Sequence, residues 1–107
     1  MNIEEMYDTI YEEALDTWGT SLQIGMIAEE ATELATAALH VLRGRDALYE
    51  LAEEAADMEI MLAQLRVMMG EKIDEHKIRK LQRLRKRLDE DHHVTTLREG
   101  HERTGRG

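Results

Sequence analysis

Cysteine, proline and phenylalanine are all missing from these 107 residues, and the aromatic side chains come to one Trp and three Tyr. Without cysteine there is neither a disulfide nor a thiolate metal ligand, so any bound metal must be held by oxygen or histidine. The absence of cysteine also fits a reducing compartment. The absence of proline, in a chain written mostly in Ala, Leu, Met, Glu, Lys and Arg, points to helices rather than sheets. The expected class is all-α, in one domain of modest core that gains from a partner subunit. No apolar run approaches the ~20 residues of a membrane span. The start, MNIEEMYDTIYEEALD, is acidic and amphipathic where a signal peptide would be basic and then apolar. A soluble, cytoplasmic protein is expected, and a net charge of −9 argues against general nucleic-acid binding.

That charge is unevenly spread. Residues 1–70 hold 15 acids and 3 bases, whereas residues 71–107 hold 8 acids and 11 bases. An acidic body therefore carries a basic end. Ile3, Met6, Tyr7, Ile10, Ala14 and Trp18 recur at three- and four-residue steps, predicting an early amphipathic helix that breaks at WGTS. Thr20 and Gln23 have capping-box spacing, so a second helix should run from about Ser21 to Leu42, buried along Ile27, Ala31, Leu34, Ala38 and Val41. After the short link RGRD, Asp46 is placed to cap a third helix with the stripe Leu48, Leu51, Ala55, Met58, Leu62, Leu65 and Met69, and Gly70 is placed to end it. So short a link makes helices two and three antiparallel neighbours. A fourth helix is expected over roughly Glu71 to Asp89, packing through Ile78, Leu81, Leu84 and Leu88. The expectation is an antiparallel bundle of about four helices over residues 1–90, its core completed by a second chain, with a loosely ordered tail over residues 91–107.

Carboxylates are concentrated on the two middle helices. Glu29, Glu30 and Glu33 stand in EEATE, and Glu54 and Asp57 in EAAD. On a helical wheel Glu30 falls only about 60° from Ile27, beside the apolar stripe, and Glu33 about 60° further round. Glu29 points more outward. Glu54 likewise abuts its stripe, and Asp57 lies one step beyond. Glutamate is common on solvated helix faces, which is the plain reading of each residue alone. Taken together they are less ordinary, because neither Gln23 to Leu42 nor Ala47 to Leu65 contains a single Lys or Arg to pair with them. Like charges at these spacings repel, and a divalent cation is the natural compensation, with hard oxygen ligands favouring Mg²⁺.

The pattern EExxE followed by ExxD, on two consecutive helices after Trp18–Gly19 and Gln23, resembles the MazG-like all-α nucleoside triphosphate pyrophosphohydrolases. The resemblance covers about residues 15–70. It implies a Mg²⁺-dependent hydrolase, with Mn²⁺ as a substitute, that cleaves a (d)NTP to the (d)NMP and pyrophosphate, as in nucleotide-pool sanitation. It also implies that Glu30, Glu33, Glu54 and Asp57 hold metal, that Glu29 serves the attacking water, and that the chain works as a homodimer or homotetramer. Within that fold, dUTP or dCTP and phosphoribosyl-ATP are rival substrates. The reading from another class is a non-catalytic helical oligomerisation or interaction module, in which helices two and three form a dimer interface and helix four docks an acidic or nucleic-acid partner.

Four further features have two readings each. Trp18 could stack on a base, although a lone tryptophan more often closes a packing layer. Gln23 could bond a base or sugar, although the cap explains it as well. Seven bases and no acid occupy Lys77 to Leu88, as solvated surface, as counter-charge for the acidic body of a partner chain, or as phosphate contacts, for which Lys77, Lys80 and Arg83 are the candidates. His40, His76, His92, His93 and His101 lack the i,i+4 pairing of a helical zinc site and read as surface or tail residues.

Overall fold

In a computed structural model the backbone is described over residues 1–102 and the side chains as far as His92. The described residues form three helices and no strand: α1 (Ile3–Trp18), α2 (Thr20–Leu42) and α3 (Leu48–Glu102). The all-α expectation holds, and the third and fourth expected helices run on as one element with a kink between them. The third is broken at Met69, whose φ of −150° and ψ of 35° are not helical. The break therefore falls one residue before Gly70, and Gly70 is not among the glycines with positive φ. Two compact units result, Met1–Gly70 and Glu71–Gly107. Among the described residues the second is the continuation of α3, which runs past the end expected near Asp89 to Glu102. Residues 103–107 of the expected tail, and the side chains of His93 and His101, lie outside the described residues.

Local chemistry sets each boundary. Asn2 Oδ1 accepts from the Glu5 N–H at 2.8 Å while the Glu5 carboxylate accepts from the Asn2 N–H at 3.3 Å, a reciprocal cap that starts α1. One residue, Gly19, joins α1 to α2. Its N–H donates to the Leu15 carbonyl at 2.8 Å and its carbonyl accepts from the Gln23 N–H at 3.2 Å, so it closes one helix and opens the next. The Thr20–Gln23 capping box is therefore not formed: Thr20 is already helical, and no side chain caps α2. At the far end Gly44, with φ of 83°, donates to the Val41 carbonyl and turns the chain out of the helix. The cap of α3 is Ala47, whose carbonyl accepts from the Leu51 N–H at 3.0 Å, and not Asp46. Ala47 is 95% removed from solvent, and a small apolar residue suits that tight entry.

Within the first unit, α2 and the part of α3 before the kink run antiparallel, as three cross-links of descending register show. Gln23 reaches Gln64, Glu30 and Glu33 meet Glu54, and His40 meets Glu50. Their packing is thin. The buried residues are Gln23, Ala37, Ala47, Met61 and Gln64, and no large side chain is fully enclosed. This rotates the expected core by one position: Ala37 rather than Ala38, Met61 rather than Leu62 and Gln64 rather than Leu65 lie deepest. Of the expected stripes, Ile27, Leu34, Ala38, Val41, Leu51, Ala55, Met58 and Leu65 are half-buried, whereas Ala31, Leu48, Leu62 and Met69 are exposed. A stripe wider than one helix–helix contact cannot all be covered by a single neighbour. α1 buries no residue at all, and its Ile3, Ile10 and Trp18 each expose more than half of their surface.

Candidate metal centre

Three of the four carboxylates expected to hold a metal come together. Oxygen atoms of Glu30, Glu33 and Glu54 all lie within 4.8 Å of one another. Glu30 and Glu33 are supplied by successive turns of α2, and Glu54 by the antiparallel stretch of α3, so the helix pairing itself builds the cluster. Asp57 stands one turn further along α3, exposed, and acts on both Glu30 and Glu54 through its charge without joining the set of three. Glu29 is exposed, and its charge is the weakest of those acting on Glu30.

Burial is the main reason that the Glu30 and Glu54 carboxyls titrate above the ordinary value of 4.5. The Glu33 charge comes next for both, and a hydrogen bond with the Glu33 carboxyl group also favours their protonated forms. One oxygen of each, Oε2, is enclosed without a hydrogen-bond partner. Buried carboxylate oxygens are normally satisfied, so this pair of orphans within an all-acidic cluster is unusual. The donor chemistry fits a hard divalent ion such as Mg²⁺ or Mn²⁺, since every candidate ligand is a carboxylate.

The raised values set the direction of these two carboxyls' contribution to the pH dependence of the metal-free protein. A carboxyl that binds its proton more tightly folded than unfolded stabilises the fold while protonated, and that contribution is lost as pH rises from about 4.5 through the raised value. Thermal melts in chelator should therefore show Glu30 and Glu54 lowering Tm across that interval, and Mg²⁺ should restore more at pH 8 than at pH 5. A Mg²⁺ effect that is equal at the two pH values would count against a shared carboxylate site.

Beside the cluster lies a groove of about 310 Å³ lined by Trp18, Leu22, Gln23, Met26, Met61 and Gln64. Met26 is one turn from Glu30 on α2, and Met61 one turn from Asp57 on α3, so groove and carboxylates occupy consecutive turns of the same two facing strips. Trp18 is an exposed wall of this groove and does not close a packing layer. Gln23 is buried and donates through Nε2 to Gln64 Oε1 at 2.5 Å, which replaces its expected capping role. Gln64 and Met61 were not expected here. The signal for Gln64 is a lone amide inside the apolar run MLAQL.

His40 corrects a surface reading. It is half-buried, with Nδ1 3.1 Å from Glu50 Oε1, and ties the end of α2 to the first turn of α3. His76 and His92 are exposed, as expected. Lys77, Lys80 and Arg83 stand on the second unit, where Lys80, Arg83 and Arg87 flank Leu84 along one side of the helix. Compared with protein-family models, with curated proteins and with solved structures, the chain matches none.

Proposed function

We propose that the chain is a Mg²⁺-dependent nucleotide pyrophosphohydrolase of the MazG-like kind, converting a (d)NTP to the (d)NMP and pyrophosphate. What supports this reading is the convergence of Glu30, Glu33 and Glu54 from two antiparallel helices, with two enclosed oxygens lacking any partner. Glu30, Glu33 and Glu54 would hold the ion, with Asp57 completing the set. Mg²⁺ supplies charge neutralisation for the polyphosphate and polarises the phosphorus under attack. Without it, four carboxylates would repel the substrate.

The chain's own groups divide the remaining work. Glu29, exposed and next to Glu30 in sequence, would accept the proton of the attacking water in this reading. The adjoining groove offers the Trp18 face for stacking and the Gln23 and Gln64 amides for hydrogen bonds, which suits a nucleobase. A homo-oligomer is part of the reading, because half-exposed apolar side chains such as Ile10, Leu22 and Ile24 leave the first unit without a closed core. The same exposure favours the second reading, a helical oligomerisation module without catalysis.

The two separate cleanly. Incubated with each NTP and dNTP, and with phosphoribosyl-ATP, in the presence of Mg²⁺, the protein should release pyrophosphate from at least one, and chelator should stop it. Absence of turnover on the whole panel would overturn the enzyme reading and leave the module.

A further inference from the structure

Two helical faces in this chain are each other's complement. α1 carries Glu4, Glu5, Asp8, Glu12, Glu13 and Asp16 and no base. The stripe Ile3, Met6, Tyr7, Ile10 and Trp18, each between 47% and 59% exposed, runs along the other face, with Glu4 at one edge and Glu13 at the other. In the second unit, Lys77 to Leu88 carries seven bases and no acid. Its stripe, Ile78, Leu81, Leu84 and Leu88, is 39–58% exposed. Both stripes are exposed, and apolar faces of this kind favour a partner that covers them.

We propose that the basic helix of residues 77–88 docks on α1 of a second copy of this chain. Apolar stripe would lie on apolar stripe, and the charges flanking each would face the opposite sign. The lengths agree, since twelve helical residues span about 18 Å and the sixteen of α1 about 24 Å. Lys80 and Arg87 flank one edge of the basic stripe beside Leu84, and on the helical wheel of α1 Glu4 and Asp8 flank one edge of the apolar one. Arg85 is held by Asp89 at 2.8 Å and contributes less. An anionic membrane suits the basic helix alone, but the attached body of 15 acids and 3 bases would be repelled from it. The acidic body of another copy has no such conflict. This docking is independent of the catalytic reading.

Charge reversal tests it by mixing. One full-length variant carries Lys80→Glu and Arg87→Glu, and another carries Glu4→Lys and Asp8→Lys. Each alone should associate more weakly than the original chain by about tenfold or more. Mixed in equal amounts they should regain the original assembly mass in sedimentation, because each helix then meets an oppositely charged partner in the other copy. A chain with all four substitutions should assemble like the original, showing that the substituted helices still fold. Because the chain has no cysteine, a second readout is direct: copies with Ile10→Cys should cross-link to copies with Leu84→Cys. The proposal is overturned if the reversed variants keep the original mass, if mixing restores nothing while the fourfold variant assembles, or if Lys80→Glu and Arg87→Glu change only the KM for nucleotide.

Discussion

Glu30→Gln is expected to lower pyrophosphate release by at least about a hundredfold and, in the same protein, to raise the melting temperature measured in chelator. The two effects have one cause. Even groups that merely orient a metal ligand cost about ten- to a hundredfold when removed, so a ligand itself should cost no less. Yet in the absence of metal the Glu30 carboxylate is a liability, pushed toward its neutral form by burial and by the charges of Glu33, Asp57 and Glu29. A neutral amide of nearly the same shape relieves that repulsion. Glu54→Gln should behave alike, since burial and Glu33 dominate there too. The stabilisation by Mg²⁺, which reports ion binding through linkage, should shrink in both variants. Pyrophosphate assays and paired melts with and without Mg²⁺ check this. A variant that loses activity but is less stable in chelator would show that Glu30 supports the fold and not an ion.

Replacing either Gln23 or Gln64 by Leu is expected to cost about 1–3 kcal/mol, and replacing both to recover most of it. These amides are 4% and 5% exposed and face each other across α2 and α3. Truncating one leaves the other buried with an unmet donor or acceptor, whereas two leucines leave only an apolar contact. In a domain of 60–100 residues each kcal/mol moves Tm by about 4–8 °C, so the single variants should be plainly separable from the double. Denaturant titrations of the four proteins in this cycle would show the coupling. Additive losses would mean that the amides act independently of each other.

The helices and the carboxylate cluster were legible because both depend on local spacing. Glu30, Glu33 and Glu54 meet since Glu30 and Glu54 border apolar stripes, Glu33 lies one turn beyond Glu30, and the short link at RGRD holds α2 and α3 together. Capping was misread at Thr20–Gln23 for the opposite reason: the deciding partner of Gln23 is 41 residues away, and no local rule contains it. The clasp between His40 and Glu50 was hidden likewise, being a contact across a turn and not along a helix. The core was displaced by one residue because a hydrophobic stripe reports everything that avoids water, in whatever assembly, while the single chain encloses only the line between two helices. The kink falls on Met69 with a negative φ, so the break does not call on the positive φ that glycine allows.

Gly19 holds a φ of 85° and a ψ of 156°, and a β-carbon built there meets nothing within 4 Å. The corner between α1 and α2 is thus guarded by handedness and not by room. Any L-residue would have space for its side chain and still be refused by its own backbone, since this region is open essentially to the achiral residue. The Trp18–Gly19 pair can be understood on those terms. The glycine makes a one-residue corner possible, and a corner that short carries Trp18 from the last turn of α1 to the wall of a groove whose floor begins at Gln23.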